Sequence, residues 1–458
     1  MKLPLNVPQC FLDDALIADQ RRLVRRWLPA TVFPKPVIEP DRPWEGRMLT
    51  LFGTVLPEPE GGWRMYYSTF EPGVTHPKVL LATSTDGFRW EKPGLGLVEW
   101  EGTSANNIVL TPDRHNDSLS VALDPEDPQR PYKLILFEKG DTQEYWAGDS
   151  GLHAYQSPDG LRWIRSPGVR LKAGDRTNLM ACRSNGRFVI YTRHPDMWER
   201  VGARAIYRSE SEDFLTWSEP ELVLAPDLDD EPDIEYYGMS VFERNGWYLG
   251  LLEYWDRTTD VIQVHLVLSR DGRNWSPPTP REPFIAASFD WNRKWSSCAS
   301  NGPVVINEQM VFYFGGRWTS HGYDSAQQYG AIGYASLPLD RFCAVEASGG
   351  GQLTTVPLEW PNADLVLNAD TREAFTSHPM ACDGEIRVEV LDAEGRPLPE
   401  WSGGDTPVFR GNTHCRGRVL DGTVRWPGDR SLRALAGHTI RLRFSLIHAR
   451  LFTVEARE

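Results

Sequence analysis

One seven-residue pattern, Ser-x-Asp-x-x-x-Trp, recurs four times in this chain, at 84–90, 157–163, 211–217 and 269–275, and limits its fold more than any other feature. Successive Trp residues stand 73, 54 and 58 positions apart. A short β-prone run precedes each copy, such as 79–83 or 264–268, and two more runs lie upstream, such as 48–56 with 63–68. Three copies contain Asp-Gly, a tight-turn pair: glycine accepts positive φ and Asp bonds nearby amides. Asp86, Asp159, Asp213 and Asp271 therefore read as turn residues. A fifth group of runs, 300–306, 310–314 and 330–335, lacks the box.

Five units of four strands, with no amphipathic helix between them, predict an all-β chain: a five-bladed β-propeller over 40–345. An array of β-sandwiches with coincident boxes is the alternative. Composition shifts at Ala347-Ser348-Gly349-Gly350-Gly351, which reads as a linker. Alternating segments follow, such as 385–392 and 439–446, each with one apolar face, so 346–458 is expected to be a β-sandwich. Pro4, Pro8, Pro29, Pro34 and Pro36 mark 1–39 as an extended lead-in packing on the propeller.

The 458 residues include 63 acidic and 49 basic ones, a net charge of −14, which disfavours nucleic acid and anionic membranes as partners. No apolar run approaches the roughly 20 residues that span a bilayer. The start, Met1-Lys2-Leu3-Pro4, has no apolar stretch of the signal-peptide kind. Cys10, Cys182, Cys298, Cys343, Cys382 and Cys415 are irregularly spaced, without a CxxC pair. Reduced, mostly buried thiols in a cytoplasm are expected, a secreted protein with three bridges being the other reading. No GxSxG, HExxH or P-loop is present, and no metal or other cofactor is expected. The acidic run 227–233 reads as a solvated loop rather than a cation site.

A propeller brings the starts of its innermost strands around one axis. Acids precede those strands in every unit: Glu45, Asp117, Asp175, Glu235 and Asp290, spaced by 72, 58, 60 and 55 residues. Carboxylates that converge in a partly dry space repel one another, leaving one protonated and another ionised. Glycoside hydrolysis requires such a pair. Each acid taken singly is as well explained by a cap or a salt bridge. Trp44, Tyr236, Tyr237, Trp291 and Trp295 flank these positions as surfaces for a sugar ring. His115 and His321 are candidate donors to hydroxyls, and Arg176 and Arg293 candidate clamps.

The boxes and unit order resemble the five-bladed propellers of glycoside hydrolase families 32, 43, 62 and 68. Leu12-Asp13-Asp14, Pro43-Trp44-Glu45, Ala331-Ile332-Gly333 and 351–358 resemble a little-characterised bacterial group related to family 32. The Trp-Met-Asn-Asp-Pro-Asn-Gly block of family 32 is absent, so fructan specificity is not implied. The resemblance implies an exo-acting glycosidase for a small oligosaccharide or glycoside, often a furanoside. Glu45 and Asp117 would be base or nucleophile and stabiliser, Asp175 or Glu235 the acid, and Asp290 and His321 would orient substrate. A non-catalytic carbohydrate-binding propeller, or a sugar lyase or transglycosylase, remains the alternative. The sandwich is a candidate surface for sugar binding or homo-oligomer formation.

Overall fold

The computed structural model describes residues 4–58, 60–70, 76–141, 146–321, 328–371, 384–415, 418–419 and 421–458. The chain is nearly all β and forms two compact units. One comprises Ala30–Val304 with Val311–Ser336; the other comprises residues up to Pro29, Val305–Met310 and Leu337–Glu458. Among the described residues no helix is long and apolar enough to cross a membrane.

The larger unit holds five antiparallel meanders, here sheets I to V. Sheet I runs Leu49–Pro57, Trp63–Thr69, Val79–Ser84 and Ile108–Leu110. Sheet II runs Asn116–Leu123, Tyr132–Glu138, Gly151–Ser157 and Ile164–Arg165. Sheet III runs Asn178–Leu179, Phe188–Thr192, Ile206–Ser211 and Glu221–Leu224. Sheet IV runs Ile234–Arg244, Trp247–Asp256 and Val261–Ser269, the last flanked by Trp275–Ser276 and Pro283–Ile285. In sheet V, Trp295–Cys298, Gln309–Arg317 and Gly330–Pro338 are completed by Thr31–Val32 from near the N-terminus. One parallel bridge, Ile262 to Trp295, joins sheets IV and V.

Apolar faces of successive sheets pack together. Tyr66, Leu81, Val121 and Leu134 fill the space between I and II; Ile135, Leu152, Leu179 and Ile190 that between II and III; Val189, Ile206, Met239 and Leu252 that between III and IV. The first strands of the five sheets are also bonded in succession. The Thr54 hydroxyl accepts from Val121 N–H at 2.8 Å, the Ser120 hydroxyl donates to Thr177 carbonyl at 3.3 Å, and the Ser240 hydroxyl reaches Asn178 Oδ1 and the Cys298 carbonyl at 3.3 Å. Ser300 N–H then donates to Gly53 carbonyl at 2.8 Å, which links the fifth strand back to the first. These buried polar groups are satisfied across sheet boundaries, as buried donors and acceptors must be.

Each box is a self-bonded turn. Asp86 Oδ1 accepts from the amides of Phe88 and Arg89 at 2.7 Å, and Ser84 Oγ from that of Gly87 at 2.8 Å. Asp159, Asp213 and Asp271 repeat this arrangement. The turn also serves a neighbouring sheet. Tyr66 of sheet I donates to Gly160 carbonyl of box two at 2.9 Å, Tyr191 of sheet III to Gly272 of box four at 2.9 Å, and Tyr313 of sheet V to Gly87 of box one. Each tyrosine meets the box Trp edge to face, with centroids 5.4–5.9 Å apart. The box Trp is thus a contact between sheets, not only a clip on its own outer strand.

In the smaller unit, the 19-residue strand Thr439–Arg457 pairs with Cys343–Thr355, Asp364–Asp370 and Glu385–Asp392 around one apolar core. His448, at φ 43°, breaks it into two arms. Of the expected lead-in 1–39, Gln9–Cys10, Ile17–Arg21 and Val24–Trp27 supply strands here, whereas Thr31–Val32 belongs to sheet V. The run at 347–351 is not a linker: it lies inside Cys343–Thr355, where the register slips between Ala347 and Gly350. Small residues let a strand bulge without breaking its ladder. Cys10, Cys298 and Cys343 are buried and Cys182 exposed; Cys382 lies outside the described residues.

Candidate functional site

Three first strands bulge at the same end of their sheets. In sheet I the register slips between Thr50 and Thr54, leaving Phe52 in the bulge. Gly53 is obligatory there, because a Cβ would lie 1.9 Å from the Tyr66 carbonyl oxygen. In sheet II, Ser118 and Leu119 oppose the single Leu136, and Ser118 takes φ 52°. In sheet IV, Tyr237 is the extra residue between the pairs Tyr236–Tyr254 and Gly238–Glu253. Bulges re-aim side chains and concentrate beside functional sites. A left-handed conformation on a non-glycine residue costs about 1–3 kcal/mol, which the surrounding structure must supply.

Asp117, half-buried beside the sheet II bulge, is held by the Ser118 hydroxyl at 3.2 Å. Burial pushes its pKa up to about 7, and the Asp175 carboxylate adds to the rise. Nearby Arg193, Arg317 and Arg176 offset part of it. Asp175, at the start of sheet III, receives a hydrogen bond from Arg193 Nη2. Two neighbouring carboxyls therefore meet different surroundings. One has no hydrogen-bonded counterion among the described residues; the other is bonded to a guanidinium. That difference separates proton donor from proton acceptor.

An aromatic wall completes this place. Tyr237 packs against Trp295 and Trp255, with centroids 5.0 and 5.8 Å apart. His321 lies parallel to Trp295 at 5.3 Å, and its Nε2 is 3.2 Å from the Tyr237 hydroxyl. Burial, with Arg204, Arg317 and Arg193 near, lowers the His321 pKa to about 4, so the ring is neutral at pH 7. Burial raises the Tyr237 hydroxyl to about 12. Arg193 stacks over Tyr237 at 4.7 Å and Arg317 over Trp295 at 4.1 Å.

Of the residues expected from sequence, the structure brings together Asp117, Asp175, Tyr237, Trp295 and His321. Arg176 is buried behind them; its Nε donates to Glu253 Oε2 at 2.9 Å and its Nη1 to Asn178 Oδ1 at 3.0 Å. Glu235 is bonded by Arg204 and, at 3.0 Å, by Arg257. His115 is half-buried with its edge toward Phe70, 6.4 Å away, and its pKa is lowered by burial and by Lys139.

The others are engaged elsewhere. Glu45 is wholly buried and closes its own short 3-10 turn, Pro43–Glu45. It accepts from the amides of Asp41 and Arg42 at 3.0 and 3.1 Å, from Lys92 at 2.7 Å and from the Tyr67 hydroxyl at 2.8 Å. Trp44 donates to Asn107 at 2.7 Å. Tyr236 turns to the opposite face, where its hydroxyl bonds Asp230 at 2.7 Å. Trp291 stacks on Phe314 at 5.1 Å, while Asp290 and Arg293 are exposed and Arg293 Nε donates to the Trp318 carbonyl at 3.1 Å. The acidic loop is tied down through Arg281, which bonds Asp227 at 2.6 Å. Glu45→Gln is expected to cost about 1–3 kcal/mol in urea unfolding, because a charged acceptor is lost from a buried network. Turnover per folded molecule should stay within about twofold, and a larger kinetic loss would return Glu45 to the reacting groups.

Arg193, Arg317, Trp255 and Arg204 carry no motif. The first three lie at or just beyond the ends of second strands, and in an antiparallel hairpin that end is adjacent to the start of the first strand. Reading both ends of each hairpin would have found them.

No family model matches the chain, and no curated protein matches it. Among solved structures, an N-acetylgalactosamine deacetylase from F. plautii in complex with blood group B trisaccharide is 15% identical, with a TM-score of 0.47 over 70% of this chain and 96% of that one. A thermostable family-43 glycoside hydrolase is 15% identical, with 0.47 over 66% and 94%. The catalytic domain of the Coprinopsis cinerea GH62 α-L-arabinofuranosidase is 13% identical, with 0.45 over 68% and 98%.

Proposed function

We propose that the larger unit is a five-bladed β-propeller acting as a glycoside hydrolase, with Asp117 and Asp175 as its acid–base pair. The observation that carries this reading is the pair itself: neighbouring carboxyls, one raised to about 7 by burial and by the other, the other bonded to Arg193. A group with a pKa near 7 both holds and releases a proton at neutral pH, which suits a general acid. Asp117 then protonates the leaving oxygen, and Asp175, held by Arg193, activates water or attacks the anomeric carbon. That reverses the roles expected from the resemblance. The ring of bonds through the five first strands supports the propeller, and Tyr237, Trp295, Trp255 and His321 form a buried aromatic wall beside the pair. A binding module needs such aromatics but not two converging carboxyls, so the pair favours the enzyme.

A panel of nitrophenyl pyranosides and furanosides tests this. Turnover of at least one substrate is expected, with kcat/KM falling as pH rises through about 7, where Asp117 loses its proton. Sugar binding without turnover of any member would assign the binding module instead.

A further inference from the structure

The charges around Asp117 do not cancel pairwise. Arg193 bonds Asp175, Arg176 bonds Glu253, and Arg204 and Arg257 bond Glu235. Among the described residues, Asp117 and Arg317 are left without a hydrogen-bonded counterion. Arg317 is 8% exposed and lies between aromatic faces, 4.1 Å over Trp295, 5.5 Å over Phe70 and 6.0 Å over Phe52. No carboxylate or carbonyl among the described residues accepts a hydrogen bond from its guanidinium, and none of its nitrogens is sealed from the surface. Its five N–H donors are therefore open to an acceptor that enters from solvent. Stacking on Trp295 fixes the plane of the fork but accepts none of its protons. When Asp117 carries its proton, five guanidiniums face three carboxylates, an excess of two positive charges, one at the shared Glu235 and one at Arg317.

We propose that Arg317 receives an oxyanion that enters with the substrate, carried by an acidic sugar or present as free phosphate beside it. This rests on the glycoside-hydrolase reading for its sugar, but not for its anion. A planar fork held by aromatic stacking suits two oxygens side by side, and such charge-assisted pairs are roughly twice as strong as neutral hydrogen bonds. A neutral sugar hydroxyl satisfies the donors without cancelling the charge. The proposal therefore places the substrate among acidic glycosides, or makes binding of a neutral one depend on phosphate.

Calorimetric titration of the full-length protein tests this with three probes: methyl glucuronide and methyl galacturonide, their neutral parent glycosides, and inorganic phosphate. At least one anion is expected to bind 10-fold or more tightly than any neutral parent, and the probe that binds identifies the source. Arg317→Met should remove that preference. Arg317→Lys, which keeps the charge but not the fork, should lose about 3- to 10-fold and covers the case in which the Met variant does not fold. Asp117→Asn should retain or tighten anion binding even where turnover is lost. Equal affinity for acid and neutral partners with no phosphate binding overturns the proposal, as does anion binding untouched by Arg317→Met. Anion binding without turnover of any glycoside leaves the site standing and sinks the hydrolase; efficient turnover of neutral glycosides without phosphate does the reverse.

Discussion

Asp117→Asn is expected to lower kcat/KM on a hydrolysed glycoside by about 10²- to 10⁴-fold while the protein stays folded. Asparagine has nearly the same shape and keeps an oxygen for the Ser118 hydroxyl, 3.2 Å away in the native chain. What it lacks is a transferable proton. Stability should move the other way. Asp117 is raised from 3.8 to about 7, so between these values the folded state binds a proton that the unfolded state has released. Its contribution to stability falls as pH rises across that window and is fully lost above about 7. The variant removes this cost and should melt higher than the wild type at pH 8, by a margin that narrows at pH 5. Unchanged turnover, or a variant less stable at pH 8 than at pH 5 relative to wild type, would rule out a buried acid at this position.

The repeat could be read from sequence because each box is a local turn whose bonds stay within seven residues, as at Ser84, Asp86 and Gly87. Its second role was hidden. The tyrosines that meet the boxes, Tyr66, Tyr191 and Tyr313, sit 94, 81 and 226 residues from the carbonyls they bond. Which acids converge was legible only in part. Asp117 and Asp175 are brought together, but Glu45 occupies the same place in the repeat and turns back to its own 3-10 turn. Strict period two also misleads where a strand bulges. Alternation gives adjacent Tyr236 and Tyr237 opposite faces without saying which faces the site; the extra residue in the sheet IV ladder decides it for Tyr237. Arg193 and Arg317 give no signal at strand starts, because they stand at the far ends of second strands. Charge balance, which singles out Arg317, requires knowing every partner.

Arg176→Met is expected to be the most destabilising single change in the larger unit. Arg176 and Glu253 are each about 1% exposed, and their bidentate pair joins the start of sheet III to the second strand of sheet IV. Arg176 also stacks on Phe52 of sheet I at 4.3 Å and bonds Asn178, so one side chain ties together three sheets. Gly238 makes room for it: a Cβ there would lie 2.6 Å from Arg176 Cγ. Removing the guanidinium strands a buried carboxylate, at about 3–5 kcal/mol. For a unit of this size that corresponds to a melting transition roughly 5–8 °C lower. Glu253→Gln should lose less, since the amide still accepts one of the two bonds. Replacing both charges, as Arg176→Met with Glu253→Leu, should recover much of the loss, because apolar pairs of similar volume often match buried ion pairs in stability. Calorimetry of the four proteins gives the coupling directly. If the double variant melts no higher than Arg176→Met, the cost lies in lost packing rather than an orphaned charge. If it recovers stability but not turnover, Arg176 also positions the neighbouring Asp175 for the reaction.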